Sequence, residues 1–245
     1  LKILVLADIH SNLAALEKVL LAEPDVDATW CLGDIVGYGA RPNECIELIR
    51  SQPSLTCVAG NHDWGSIGKT ELDLFNADAR RACEWTDEQL SDESREFLDS
   101  LEPTGIAPGA VITHGSPRSP LGEYVFNMSI ARLNFSYFAS PLCFVAHSHV
   151  PLVFTQSDAE GGGEEETTVP QPNLPITIAN KKALVNPGSV GQPRDGEPRS
   201  AYMILEPESD RIMLKRTAYD IGRTQREITE AGLPEALATR LSYGW

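Results

Sequence analysis

The chain has 245 residues, 42% of them hydrophobic, and carries 20 Lys plus Arg against 35 Asp plus Glu, a formal net charge of −15. That length can bury a full core as one α/β domain or as two small ones, and a single domain over 1–245 is the expectation. So acidic a surface argues against long nucleic acid and anionic membranes as partners, because both bind through basic residues that neutralise phosphate.

The first half alternates short apolar runs with helical patterns, as when strands feed crossover helices. "KILVLA" (2–7) reads as a strand, 12–23 as an amphipathic helix, and "ATWCLG" (28–33) as a second strand. A helix over 41–52, with Pro42 in its first turn, leads to a third strand, "LTCVAG" (55–60). These three strands are expected to be parallel. Residues 76–101 read as a charged helical pair with Ser91 and Ser94 as possible caps, followed by the strand "GAVITHG" (109–115). A helix near 128–138 precedes a buried strand, "LCFVAHSH" (142–149).

Beyond residue 150 the runs "PLVFTQ", "PITIA", "KALVN", "SAYMILE" and "RIMLKRTA" predict an antiparallel set. The Gly-, Glu- and Pro-rich 157–172 between the first two reads as a floppy loop. Helices near 220–231 and 234–241 close the chain. The elements therefore form an α/β protein with one mainly parallel and one mainly antiparallel sheet, flanked by helices.

No apolar run reaches the roughly 18 residues of a membrane span, and "LKILVLA" is too short for a signal peptide. Five cysteines, odd in number, without CxxC spacing and mostly in apolar segments, read as reduced core residues. A cytoplasmic location is the expectation. Because the chain begins at Leu1, an initiator methionine is expected to precede it.

All five histidines, His10, His62, His114, His147 and His149, fall just past the end of a predicted strand. In an open α/β sheet that edge is where sites assemble. Asp8, Asp34 and Asn61 stand at the same level. Asp8 and His10 are two apart, as are His147 and His149; in extended chain such pairs point the same way, so each is expected to act as a chelating arm. Mixed imidazole and carboxylate donors suit Mn, Fe, Zn, Ni or Co rather than Ca. Asp8, His10, Asp34, Asn61, His114, His147 and His149 exceed what one tetrahedral ion uses, so two divalent ions sharing a carboxylate fit better. His62 remains open at this point between a ligand, a proton donor and a polar residue in a turn.

In order, the motifs are Asp8-Ile9-His10, Gly33-Asp34, Gly60-Asn61-His62-Asp63, Thr113-His114-Gly115 and Ala146-His147-Ser148-His149. This set resembles the calcineurin-like metallophosphoesterases, with their D-x-H, G-D, G-N-H-[DE], lone His and G-H-x-H blocks. "NPGSVGQPRDG" (186–196) is similar to the prokaryotic phosphodiesterase-type branch. One departure is Ala146, where the family usually has Gly.

The resemblance implies a four-layer α/β/β/α sandwich of two mixed sheets. It implies Asp8, His10, Asp34 and His149 around one metal, and Asp34 as bridge with Asn61, His114 and His147 around the other. It also implies a metal-bound hydroxide as nucleophile and His62, as a protonated imidazole, as general acid for the leaving alkoxide. Manganese is the ion expected to support activity in assays. Asp63 could orient the His62 ring or cap the segment that follows.

The Ser/Thr protein phosphatases of this superfamily read G-D-x-V-D-R-G at the second block, whereas this chain has "GDIVGYG" and lacks that arginine. A small phosphodiester, phosphomonoester or nucleotide is therefore favoured over a phosphoprotein. Tyr38 and Arg118 are the candidate substrate contacts, with Arg194 a weaker one of the same kind as Arg118. Two other readings of the fold are a non-catalytic interaction scaffold, as in the retromer subunit that lacks the catalytic histidine, and a DNA-repair nuclease, which needs a basic track absent from this composition.

Overall fold

The computed structural model describes residues 1–157 and 163–245. Strand β1 (Ile3–Leu6), helix α1 (Leu13–Ala22), β2 (Ala28–Cys31), α2 (Pro42–Arg50) and β3 (Thr56–Cys57) follow one another in the predicted order. Local chemistry starts the helices. Asn12 caps α1 by accepting from the Ala15 N–H, and Pro42 sits in the first turn of α2, where a missing N–H costs nothing.

A short helix, α3 (Asn61–Gly65), begins directly after the β3 run. With five residues it is too brief to carry an apolar period, and sequence pattern misses it. The charged pair is α4 (Ala77–Gln89) and α5 (Asp92–Ser100), the latter capped by Ser91, which accepts from the Ser94 N–H. Then come β4 (Thr104–Ala107), which the pattern did not reveal, β5 (Ala110–Thr113), α6 (Met128–Asn134) and β6 (Leu142–Phe144). The "LCFVAHSH" strand thus ends at Phe144, and its polar half is a loop. The remainder is β7 (Leu152–Ser157), β8 (Glu165–Thr168), β9 (Pro175–Thr177), β10 (Lys181–Asn186), β11 (Ser200–Glu206), β12 (Arg211–Thr217), α7 (Ile221–Glu230) and α8 (Glu235–Thr239).

Two six-stranded sheets result, in the orders β3-β2-β1-β11-β12-β9 and β4-β5-β6-β10-β7-β8. Both are mixed. β1, β2 and β3 are parallel, but β11 pairs antiparallel with β1 and carries β12 and β9 behind it. In the second sheet β6 lies parallel to both β5 and β10, and β7 and β8 add on antiparallel. The late strands therefore do not form the separate antiparallel sheet expected of them. β11 is buried from Ser200 to Leu205, as a central strand covered on both faces must be, and β1 offers the edge it needs.

The loop expected over 157–172 is also corrected. Residues 158–162 lie outside the described residues, but β8 pairs with β7 from Val153↔Thr168 to Gln156↔Glu165. "EETT" carries no apolar signal; an edge strand with both faces polar needs none.

Between the sheets lies one apolar layer including Val5, Trp30, Phe144, Val185 and Met203. The outer face of the first sheet is covered by residues of α1, α2 and α5, and that of the second by α6 and the turn after it. The order helix, sheet, sheet, helix is a four-layer α/β/β/α sandwich. All five cysteines are free, and no helix among the described residues is long and apolar enough to cross a membrane. Trp30 meets Phe144 edge to face across the inner layer, with ring centroids 5.6 Å apart at 76°. Phe144→Ala should therefore destabilise the protein by about 3–5 kcal/mol in a denaturant titration; a loss under about 1 kcal/mol would mean that this pair does not hold the sheets together.

Candidate metal centre

Asp8, Asp34 and Asn61 follow β1, β2 and β3, while His114 and His147 follow β5 and β6, so the C-terminal ends of both sheets meet at one edge. Donor atoms of Asp8, His10, Asp34 and His149 lie within 4.8 Å of one another, and so do those of Asp34, His114 and His147. Asp34 belongs to both groups. Asn61 joins the second through Oδ1, 3.0 Å from His114 Nε2. His62 and Asp63 are buried beside them without entering either group.

Asp8 and His10 share one donor group, as expected of an arm, but the backbone of neither pair is extended. Asp8, His10, Asp34, His147 and His149 all have φ between +50° and +65°. That left-handed region is costly for residues with a Cβ and clusters at functional sites. His147 and His149 consequently turn to different groups rather than gripping one ion together. Gly60 is held to its identity by the same crowding, since a Cβ there would fall inside the Asp34 carboxylate.

Backbone carbonyls define the histidine tautomers. Nδ1 of His10 donates to the Val36 carbonyl at 3.1 Å, Nδ1 of His114 to Leu32 at 2.9 Å, and Nδ1 of His149 to Gln192 at 2.6 Å. A carbonyl only accepts, so each Nδ1 carries its hydrogen and, in the neutral ring, Nε2 is a bare donor atom; histidines that ligate metals are fixed in this way. Nε2 of His10 and Nε2 of His149 face each other at 3.1 Å. Two lone pairs at that distance need a cation. Both carboxylate oxygens of Asp8 are buried with no hydrogen-bond donor on them, while Oδ2 of Asp34 has His114 Nε2 near it, at 3.3 Å. Such orphaned acceptors are what a divalent ion would satisfy, so the residues fit the metals.

The charges agree. Burial, opposed by His114 and reinforced by Asp34, pushes Asp8 up to about 7. Burial also pushes Asp34 up, but His114, His62 and His10 outweigh it and hold this carboxylate well below its ordinary value. Burial, reinforced by neighbouring cationic groups, holds His10 and His149 well below the ordinary imidazole value and takes His147 down to about 2. His114 is the exception: the pull of burial loses to the Asp34 charge and hydrogen bond and to Asp8, so it rises to about 9. Its proton is the one positive charge these ligand-type side chains supply for two carboxylates.

His62 lies against the centre through its backbone N–H, which donates to Asp34 Oδ1 at 2.8 Å. Its ring contacts Tyr38 and Phe75, and Nδ1 is 3.4 Å from Cys83 Sγ. Burial pushes the Cys83 thiol up to about 12, so at neutral pH it keeps a proton to donate. Burial takes His62 down to about 4 against the opposing pull of the Asp34 charge. Asp63 accepts from the N–H of Gly60 at 2.8 Å and of Val36 at 3.0 Å, so it caps α3 rather than orienting the His62 ring. A Cβ on Gly37 would come within 2.6 Å of His62 Nδ1.

A cavity of about 260 Å³ opens onto this edge, lined by Asp34, Asn61, His62, His147, His149 and Tyr38 among others. Tyr38 is buried against the rings of His10 and His62. Arg118 does not line the cavity; Glu123 engages its guanidinium, with both carboxylate oxygens 2.9 Å from Nε, and this corrects the expectation for it. Arg194, the weaker candidate, lines the cavity instead. Sequence reasoning missed Cys83 and Tyr124, whose ring stacks on His147 at 3.9 Å between centroids. Neither belongs to a motif, so only the folded chain brings them to the site.

A family model described as the calcineurin-like phosphoesterase superfamily domain matches residues 1–210. The uncharacterized protein MJ0912 of Methanocaldococcus jannaschii is 40% identical over 249 residues, covering 99% of this chain and 98% of its own. The crystal structure of a metallophosphoesterase from Sphaerobacter thermophilus is similar with a TM-score of 0.89 and 46% identity, covering 100% of this chain and 99% of its own. That of protein PH1004 from Pyrococcus horikoshii OT3 has a TM-score of 0.78 at 20% identity, covers 100% of this chain and 98% of its own, and shows the shared fold. With the family model over most of its length and a buried Asp and His cluster at the edge of a four-layer sandwich, the chain belongs to the calcineurin-like phosphoesterase superfamily.

Proposed function

We propose that the protein is a dinuclear metal-dependent phosphoesterase that hydrolyses a small phosphoester or nucleotide. The observation that carries this reading is the pair of bare Nε2 atoms of His10 and His149, 3.1 Å apart with both Nδ1 atoms committed to carbonyls. Asp8, His10, Asp34 and His149 hold one ion; Asp34, Asn61, His114 and His147 hold the other. When bound, the ions, manganese in assays, supply Lewis acidity and a water acidic enough to attack near neutral pH.

The chain's own residues do the rest. Asp34 ties the two groups into one centre, and its bond from the His62 N–H sets the proton donor beside that centre. The Cys83 contact supports a tautomer of His62 with Nδ1 as acceptor and the proton on Nε2. The anionic charge of the incoming phosphoester raises the affinity of His62 for a second proton, since an opposite charge nearby favours the cationic ring. His62 then donates to the leaving alkoxide. Tyr38 is a wall of the substrate cavity. Residues 1–245 act as one domain, and the five free cysteines support a cytoplasmic location.

The chelator-stripped protein should take up two Mn²⁺ per chain in a calorimetric titration, hydrolyse p-nitrophenyl phosphate or its bis ester, and lose that activity to EDTA. Turnover that survives EDTA with no ion bound would end the metal-dependent reading. His62→Ala should keep both ions and lose activity by about 10²–10⁴-fold. Loss of an ion on that change would make His62 a ligand rather than the donor.

A further inference from the structure

Arg194 is an unusual residue for its place. Its backbone N–H donates to the His149 carbonyl at 3.3 Å, which ties its position in the cavity wall to the metal centre. The guanidinium lies over Tyr38, with Cζ 5.9 Å from the ring centroid. Nη2 donates to Gln192 Oε1 at 2.9 Å and reaches the Tyr38 hydroxyl at 3.5 Å. Nε is buried, and no acceptor among the described residues meets it. The acid beside it in sequence, Asp195, is taken by Arg216. A part-buried guanidinium with no carboxylate partner is costly unless an anion completes it.

Among the described residues Arg194 is the one Lys or Arg that lines the cavity. Among the described residues the cavity carries no second Lys or Arg for another phosphate, and Glu71 in its lining opposes one. Leu74, Phe75, Ala79 and Leu121 give the remaining wall apolar and aromatic surface, beside the neutral polar side chains of Thr70 and Asn76. At about 260 Å³ the space falls below the roughly 300–1,000 Å³ of drug-sized pockets. One concentrated anionic charge on a small apolar or aromatic group matches this lining.

We propose that Arg194 is the anchor for the phosphoryl oxygens and that it makes the site prefer a phosphomonoester of an apolar or aromatic alcohol over a diester. A monoester carries about −1.5 to −2 charge at neutral pH and three non-bridging oxygens. A diester carries one charge and two such oxygens. Shared between a metal centre and a planar guanidinium fork, which takes oxygens in pairs, the diester has none to spare. This inference rests on the phosphoesterase reading, and its test separates the two.

The experiment compares kcat/KM for p-nitrophenyl phosphate and bis-p-nitrophenyl phosphate, which share a leaving group, in the manganese-loaded protein, Arg194→Gln and Arg194→Lys. The affinity for inorganic phosphate is measured by calorimetry on the same samples, with manganese content and melting temperature confirming the folded, loaded state. The wild type should favour the monoester at least about tenfold. Arg194→Gln should weaken phosphate binding by about ten- to a hundredfold and lose monoester activity by a similar factor beyond any loss on the diester. Arg194→Lys, which keeps the charge without the fork, should recover part of both. A wild-type preference for the diester, equal losses on the two esters, or phosphate affinity unchanged in Arg194→Gln would overturn the proposal. Phosphate bound through Arg194 without turnover of either ester would overturn the hydrolase reading and keep the anion anchor.

Discussion

The constraint on which the rest depends is Asp34, the carboxylate that the two donor groups share among the described residues. Its backbone sits at φ +50°, its carbonyl accepts from the His10 N–H at 2.9 Å, and its Oδ1 accepts from the His62 N–H at 2.8 Å. One residue thereby positions a proposed ligand of the first ion and the proposed proton donor. Gly60 has no freedom beside it, because any Cβ would displace the carboxylate. The β2 and β3 ends are locked together at this point.

Such a centre is electrostatically unfavourable by itself, and the sandwich holds it in place. Two buried carboxylates stand with several neutral imidazoles, and the His114 proton is a poor substitute for two divalent charges. The apolar layer between the sheets and the helices outside them fix strand ends that would otherwise separate to hydrate these groups. Each of three rings is then pinned by a carbonyl from elsewhere in the chain, Val36, Leu32 or Gln192. Rigidity of the sheets and tautomer control at their edge are one arrangement, in which the fold's stability holds donor atoms towards a shared point.

Much of this was legible in the sequence because two signals coincide: short apolar runs marked β1, β2, β5 and β6, and a polar donor followed each of them. What was hidden has physical causes. The left-handed backbone at Asp8, His10, His147 and His149 falls on residues that adopt it only in a minority of cases, with no glycine to mark it, so the i, i+2 pairs read as extended arms. Sheet membership of β11 depends on which edge is open, which periodicity does not encode. β8 is polar on both faces. Arg118 looked available because its partner, Glu123, is five residues on, whereas Arg194 is exposed as unpaired only when Asp195 is seen to face Arg216. Cys83 reaches His62 from α4, a charged helix in which no motif sets that cysteine apart from the other small buried residues.

The central claim, that the two groups form one centre through a shared carboxylate, is tested most directly by the metal content of Asp34→Ala at equilibrium, measured beside His147→Ala in protein shown to be folded. If Asp34 is shared, its removal should weaken both ions together, while His147→Ala should weaken one and spare the other. An Asp34→Ala protein that keeps one ion at wild-type affinity would contradict the shared carboxylate and split the centre into independent sites.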